Sequence, residues 1–121
     1  MSEIELATHV WTALEYLESI SGPGAIAEIV ADFAHDAPSR LVRMQVALET
    51  GSWQALSRLA HDLKSNSATL GVLQLSVLAA KIELTAQDGW KANLAPMLQE
   101  AESILPQVLT ALEKRARHYP A

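Results

Sequence analysis

Residues 53–70 read WQALSRLAHDLKSNSATL, and this stretch decides the predicted fold. At about 100° per residue, its apolar and small side chains fall within an arc of roughly 100° on a helical wheel. This set comprises Leu56, Leu59, Ala60, Leu63, Ser67 and Leu70. One stripe of this width is typical of a helix that packs against other helices on one side. The stretch therefore predicts an amphipathic helix in an α-helical domain.

Turn-forming residues divide the rest of the chain into further helical segments. The spacing of apolar residues predicts helices at about 4–20, 25–36, 39–49, 73–86 and 93–118. The Ala-Pro-Ser stretch at 37–39 is expected to interrupt or bend the chain, and Pro106 is expected to kink the last helix. Gly51 is predicted as a left-handed helix cap and Ser52 as the next N-cap. No segment has the pattern of a strand.

Composition narrows the class of protein. Half of the 121 residues are apolar, which is enough for one core, and there are no cysteines. A net charge of −5 disfavours nucleic acid as the main partner. No apolar run reaches the roughly 18–20 residues of a membrane span, and the first residues do not resemble a signal peptide. We therefore expect a single cytoplasmic domain over residues 1–121, a monomer that binds neither nucleic acid nor membrane.

His61 lies nearly opposite the apolar stripe on the wheel, so its side chain is expected to face solvent. An imidazole is a competent nucleophile near neutral pH. Lys64, one turn later, supplies a cation where phosphate oxygens would lie. Ser57, Ser65 and Ala68 are small and leave room for another protein surface. These residues favour a nucleophile that meets a phosphoryl group on a partner; a solvated histidine without a function is the alternative.

Glu83 is the predicted neighbour of His61 on the following helix. If the chain reverses near Gly71, both residues lie at similar heights, about ten residues or roughly 15 Å from the turn. A carboxylate at this height could accept a hydrogen bond from one ring nitrogen and leave the other free to attack. An exposed Glu83 that pairs with a nearby lysine is an equally open alternative.

The stretch at 60–71, AHDLKSNSATLG, resembles the signature of histidine phosphotransfer (HPt) domains. The family pattern is His-x-Leu-Lys-(Gly/Ser)-Ser-(Ser/Ala)-x-x-(Leu/Ile/Val)-Gly on a bundle helix. Three more stretches are similar to family features in the same order: FAHDAP at 33–38, GSW at 51–53 and KIE at 81–83. The resemblance covers about 25–88 and extends to the outer helices only by their position.

The resemblance implies an all-α fold, an antiparallel four-helix bundle with additional N-terminal helical structure and a kinked C-terminal helix at about 93–118. It implies that His61 is the phosphoacceptor, that Lys64 stabilises the phosphate and that Glu83 orients the imidazole. The implied partner-docking residues are Ser57, Arg58, Ser65 and Ala68. Asn66 departs from the usual serine, and a glutamate rather than a glutamine at 83 adds negative charge near an anionic adduct.

The implied function is the relay of a phosphoryl group. His61 would accept it from the aspartyl phosphate of a receiver domain and pass it to another receiver domain. The receiver would supply Mg²⁺, so no cofactor is expected on this chain. Because no Gly-rich phosphate loop is present, we expect a phosphocarrier rather than a kinase. The expected partners are response-regulator receiver domains, with a hybrid sensor histidine kinase as a further candidate.

Three other classes of protein fit part of the pattern. The phosphoacceptor helix of a histidine kinase also has an acidic residue after its histidine, but usually has a proline where Asn66 stands. A metal-binding bundle would use histidines paired with carboxylates, but the full ligand set of a dimetal bundle is missing. The candidate pairs are His9 with Glu5 and His35 with Asp32. A partner-binding bundle that resembles HPt but does not use His61 for phosphotransfer is the third. Either a free-standing protein or a segment of a hybrid kinase is compatible with the sequence.

Overall fold

The computed structural model describes residues 4–89 and 91–121 of the chain. Within these ranges the secondary structure is helical and contains no strand. The elements are α1 (Thr8–Ser21), α2 (Ala25–Thr50), α3 (Trp53–Thr69), α4 (Leu73–Asp88), a single 3₁₀ turn (Lys91–Asn93) and α5 (Leu94–Ala116). No helix in the described ranges is both long enough and apolar enough to cross a bilayer.

Helices α2 to α5 form an antiparallel four-helix bundle. Short turns join α2 to α3 and α3 to α4, and α5 closes the bundle by packing against both α4 and α2. Helix α1 lies outside this ring and packs against α2. The core runs between the helices and is made almost entirely of leucine, alanine and other apolar side chains. The all-α bundle predicted from the sequence is therefore confirmed.

Helix α3 is buried along the predicted stripe. Leu56, Ala60, Leu63 and Leu70 are almost fully buried and Leu59 is half-buried. Each fully buried leucine contributes about 1.5–3 kcal/mol to the free energy of folding through removal of apolar surface from water. This stripe fixes the rotation of α3 about its axis, and so determines which of its side chains face outward.

Helix α2 is continuous through the Ala-Pro-Ser stretch of 37–39, so the predicted interruption is wrong, and a bend at this stretch stays a prediction. Pro38 lies on the exposed side of this 26-residue helix. A proline inside a helix costs about 3 kcal/mol, because it lacks one N–H and crowds the preceding turn. Phe33, Leu41 and Met44 lie on either side of it and are all buried in the core. At about 1.5–3 kcal/mol each, their burial outweighs the cost of one proline.

The turn between α2 and α3 depends on Gly51. Its φ of 70° is in the left-handed region, as predicted, and its N–H donates to the Leu48 carbonyl at 3.3 Å. The N–H of Ser52 donates to the Ala47 carbonyl at 2.8 Å, which completes a Schellman motif. Ser52 stands at the N-cap position, but its hydroxyl lies 2.9 Å from that of Thr50 and makes no cap bond. The predicted N-cap residue is therefore confirmed, although its side chain makes no cap hydrogen bond.

The first helix begins at Thr8, four residues after the predicted start. The N–H of Ala7 donates to the Gly71 carbonyl at 2.9 Å, which joins the segment before α1 to the turn between α3 and α4. The backbone at Ala7 is extended and not helical, which lets its N–H make this bond. A long-range contact therefore replaces the first turn of helix that apolar spacing predicted.

The indole of Trp11 connects α1 to the same end of the bundle. It is fully buried, and its Nε1–H donates to the Leu70 carbonyl at 2.9 Å. The ring of Tyr119 stacks on it at a centroid distance of 6.2 Å, and the Arg115 guanidinium lies 5.1 Å from its centroid. The two ends of the described chain therefore meet beside the α3–α4 turn.

Helix α5 runs from Leu94 through Pro106 to Ala116 without interruption. The expected kink at Pro106 stays a prediction. The preceding 3₁₀ turn, Lys91–Asn93, includes the first residue that the sequence assigned to this helix, and the helix ends two residues before the predicted 118. Helix α4 extends two residues beyond its predicted end, to Asp88, where Gly89 caps it.

Candidate functional site

The rotation of α3 presents His61 to solvent. The residue lies opposite the buried stripe, and 54% of its side chain is exposed. Its backbone is held in the middle of a 17-residue helix that packs against both α2 and α4. The imidazole is therefore accessible while the helix that carries it is firmly packed.

Glu83 of α4 lies at hydrogen-bond distance from the imidazole. Nδ1 of His61 and Oε2 of Glu83 are 3.0 Å apart, and only 16% of the Glu83 side chain is exposed. A carboxylate is an acceptor, so Nδ1 donates and carries the hydrogen in the uncharged ring. The lone pair of that ring is then on Nε2, the nitrogen that makes no bond with Glu83.

Lys64 binds the same carboxylate. Its Nζ donates to the second oxygen of Glu83, Oε1, at 3.0 Å. The hydroxyl of Ser76 on α4 donates to the Lys64 carbonyl at 3.0 Å and fastens the two helices beside this contact. The ammonium is therefore close to His61, as expected. Glu83 contacts the imidazole and also pairs with a lysine, but it is not the exposed residue of the second alternative.

The electrostatics of Glu83 reflect these contacts. Burial alone would raise the pKa of its carboxyl above the usual 4.5, but hydrogen bonds and positive charge from Lys64 and His61 lower the pKa below that value. The group is therefore a carboxylate at neutral pH. It can accept two hydrogen bonds and is a weak base.

The four predicted docking residues are not equally accessible. Arg58, Ser65 and Ala68 are exposed on the His61 face of α3. Ser57 is buried, with 8% exposure, and its hydroxyl accepts a hydrogen bond from Nε2 of Gln87 at 3.0 Å. The wheel placed Ser57 on the outward face, but the close approach of α4 covers it.

A shallow depression beside His61 contains residues that sequence reasoning missed. Its lining, from α3 and α4, comprises Trp53, Gln54, Ser57, Arg58, His61, Glu83, Ala86 and Gln87. Gln87 follows Glu83 by four residues and so lies on the same face of α4, a spacing that could have identified it. Trp53 could not be found in this way, because its position depends on the α2–α3 turn.

Asp62, next to His61 in the sequence, faces the other way. Its carboxylate accepts from Nη1 of Arg40 on α2 at 3.3 Å. Two acidic residues near the imidazole therefore have separate roles: Glu83 contacts the ring and Asp62 joins α3 to α2.

No group of three histidine or carboxylate side chains comes together as a metal site in residues 4–89 and 91–121. The pairs considered from the sequence, His9 with Glu5 and His35 with Asp32, are exposed. The geometry thus gives no support to a metal-binding bundle built from them.

Comparison with known protein families identifies the family of this chain. The family model for the Hpt domain matches residues 28–117, which include all of α3, α4 and α5 and most of α2. This chain belongs to the Hpt domain family. The prediction that residues 1–121 form a single Hpt domain is not tested by this match and stays a prediction.

A solved structure shares the fold of this Hpt domain. The crystal structure of histidine-containing phosphotransfer protein B (HptB) from Pseudomonas aeruginosa PAO1 matches with a TM-score of 0.85 and 22% sequence identity. The match covers 98% of this chain and 99% of that one, so it includes α1 as well as the four-helix bundle. No curated protein sequence matches the chain.

Family membership places the protein in a broad class. It is a histidine phosphotransfer protein of two-component phosphorelays, a class that carries phosphoryl groups and interacts with receiver domains and kinases. Hpt proteins are phosphocarriers rather than kinases.

Proposed function

We propose that His61 accepts a phosphoryl group from the aspartyl phosphate of one receiver domain and delivers it to an aspartate of another. The observation that carries this proposal is the bond between His61 Nδ1 and Glu83, which leaves the lone pair on Nε2 of a side chain that is 54% exposed. The direction of transfer between particular receivers depends on the partners.

The transfer needs little chemistry from this chain. Nε2 attacks phosphorus in line, the N–P bond forms, and the acyl P–O bond breaks with its electrons on the departing carboxylate. Delivery to the next aspartate is the reverse of this step. Mg²⁺ would be bound by the receiver, so the Hpt chain contributes a nucleophile and nearby charge without a cofactor of its own.

Lys64 is proposed to stabilise the phosphoryl oxygens on His61. Its ammonium already lies beside the imidazole, 3.0 Å from the carboxylate that the imidazole also contacts. A third of its side chain is exposed, so it can reorient toward a new anion at low cost. The phosphoryl group and Glu83 would then share or compete for this cation.

Receiver docking is proposed to use the exposed surface around His61. Arg58, Ser65 and Ala68 supply small and cationic side chains on α3. Leu84, which follows Glu83 on α4, is 58% exposed and is proposed to add apolar area to this surface. Ser57 would support this surface from below, through its bond with Gln87. We propose that the Hpt protein works as a monomer in the cytoplasm.

His61→Gln tests the proposal. Purified receiver domains, phosphorylated with labelled acyl phosphate, are incubated with each Hpt variant, and label on the Hpt chain is measured. We expect wild-type protein to become labelled and His61→Gln to lose all labelling while keeping its helical circular dichroism, because position 61 makes no core contact.

His35→Gln is the matched control, since His35 is an exposed histidine on α2. It should be labelled like wild type. Label retained by His61→Gln would contradict the assignment of the phosphoacceptor, and receiver binding without any labelling of wild type would favour the partner-binding alternative.

A further inference from the structure

We propose that the Glu83 carboxylate keeps a phosphoryl group on His61 labile by holding the phosphorylated ring in its positively charged form. This role rests on the proposed phosphotransfer at His61 and extends it to the lifetime of the product. Glu83 is a positioning residue, because it contacts the imidazole and not the reacting phosphorus.

The electron balance shows why the charge on the ring matters. When Nε2 attacks phosphorus, its lone pair forms the N–P bond, and Nδ1 keeps the hydrogen that it donates to Glu83. The phosphorylated ring is therefore a cation. When the N–P bond breaks again, its electrons return to Nε2 and give the uncharged imidazole. No proton has to move in either direction while Nδ1 stays protonated.

Loss of the Nδ1 hydrogen would change this balance. Cleavage of the N–P bond would then have to leave an imidazolate anion, which is a much poorer leaving group than an uncharged imidazole. The uncharged phosphorylated ring is thus the slow form. A negative charge beside Nδ1–H stabilises the cationic ring and opposes that loss, as the aspartate of a catalytic triad does for its imidazolium.

The geometry of Glu83 suits this role. Oε2 lies 3.0 Å from Nδ1, and Oε1 is fixed by Lys64 at 3.0 Å, so both oxygens are held in place. The hydrogen bonds from Lys64 and His61 lower the pKa of Glu83 against the opposing effect of burial, which makes the carboxylate a weak base that leaves the hydrogen on the ring. A neutral amide at this position could accept the same hydrogen bond but would supply no charge.

Other charged groups around the ring do not replace this carboxylate. On α3, Arg58 lines the same depression and Lys64 is paired with Glu83, and both are cations that oppose a positive ring. The adjacent Asp62 is paired with Arg40 of α2 at 3.3 Å. Among the described residues, Glu83 is the carboxylate that contacts the imidazole.

The test compares phosphohistidine lifetimes in the full wild-type chain and in Glu83→Gln. Each protein is phosphorylated with potassium phosphoramidate, whose P–N bond breaks with release of ammonia, and excess donor is removed. The phosphohistidine signal is then followed by ³¹P NMR across a range of pH. We expect the midpoint of the lifetime–pH profile of Glu83→Gln to lie about half to one pH unit lower, with about a threefold to tenfold longer lifetime on the alkaline side.

Two further variants keep the test specific. Glu83→Asp retains the negative charge and should stay closer to wild type than Glu83→Gln does. Glu102→Gln removes an exposed carboxylate on α5 and should leave the profile unchanged. Identical profiles for wild type and Glu83→Gln, or an equal shift in Glu102→Gln, would overturn the role of Glu83.

The outcome also separates this role from the proposed function. In one outcome, His61→Gln forms no phosphohistidine, but wild type and Glu83→Gln have the same lifetime–pH profile. That outcome leaves the proposed phosphotransfer intact and removes only the role of Glu83. If wild type forms no phosphohistidine at position 61 with phosphoramidate or with a phosphorylated receiver, both proposals fall.

Discussion

Lys64 and His61 donate to opposite oxygens of one carboxylate, that of Glu83. A change in any of these three side chains therefore alters the surroundings of the other two. A phosphoryl group on His61 would be a second anion near Lys64, so the ammonium would have to divide its attraction between phosphate and carboxylate. The electrostatic contribution of Lys64 should therefore be largest when the phosphoryl group is present.

Lys64→Ala should slow phosphotransfer more than it weakens docking. Loss of a charge-assisted contact to the phosphoryl oxygens corresponds to about a tenfold lower transfer rate. Rapid-quench measurement of transfer gives the rate, and calorimetry with an unphosphorylated receiver gives the dissociation constant, which should change by less than about threefold.

Lys81→Ala is the control, because Lys81 is exposed on α4 and lines the groove toward α5 instead. It should behave like wild type in both measurements. An unchanged transfer rate in Lys64→Ala would show that the lysine serves only to pair with Glu83.

The sequence predicted the participants of the site better than their contacts. The spacing of His61 and Glu83 on either side of a turn was enough to predict that the two would meet. The burial of Ser57 was not predictable from its own helix, since Gln87 of α4 covers it. A helical wheel describes the faces of one helix, whereas the burial of a side chain also depends on how closely the neighbouring helix approaches.

At the scale of the elements, the α3–α4 turn sets the register of the site. Gly71 has a φ of 72°, and a Cβ built on it would lie 3.0 Å from the Ala7 nitrogen and 3.2 Å from the Val10 Cβ. The N–H of Val72 donates to the Ser67 carbonyl at 2.9 Å to close the turn. Glycine is therefore needed both for the backbone conformation and for the approach of the segment before α1.

Gly71→Ala should destabilise the protein by at least about 2 kcal/mol, through left-handed strain together with the clash against Ala7 and Val10. Thermal or urea unfolding followed by circular dichroism measures this loss.

Gly51→Ala is a close control, because Gly51 has a similar φ of 70° but its nearest contact would be an ordinary 3.7 Å from Trp53. It should lose only the strain energy, about 1–2 kcal/mol. Equal losses at the two positions would contradict the importance of the close approach.

The elements also show where local sequence rules are outweighed. The interruption expected at Pro38 does not occur, because the burial of Phe33, Leu41 and Met44 favours a continuous helix. The start of α1 was misplaced because the partner of Ala7 is Gly71, which is far away in the sequence. Periodicity predicts which face of a segment is buried, but it contains no information on the contacts that end a helix early.

At the scale of the whole molecule, Trp11 holds α1 and the end of the chain against the bundle. Its indole donates to the Leu70 carbonyl and stacks with Tyr119, and Leu70 is nine residues from His61. That separation corresponds to about 14 Å along the helix axis. A substitution at this junction should therefore change the free energy of unfolding without changing the rate of phosphotransfer at His61.

Trp11→Phe should lower the free energy of unfolding by about 1–3 kcal/mol, because it leaves the buried Leu70 carbonyl without its donor. The initial rate of labelling at His61 should stay unchanged at a temperature where the variant is folded. Unfolding by urea and labelling by a phosphorylated receiver give the two quantities.

Tyr16→Phe, an exposed change on the same helix, should leave both quantities at their wild-type values. A large fall in labelling of folded Trp11→Phe would indicate that the distant junction influences the site.

His61 lies on the outer side of a well-packed helix, and this position determines how the phosphorylated and unphosphorylated proteins would differ. The side chains of α3 that bind the helix to its neighbours point the opposite way, and Leu56, Ala60 and Leu63 are buried in the core. A phosphoryl group at Nε2 would add negative charge to the surface without requiring any helix to shift. A receiver would then distinguish the two forms by surface potential, and not by a change in molecular shape.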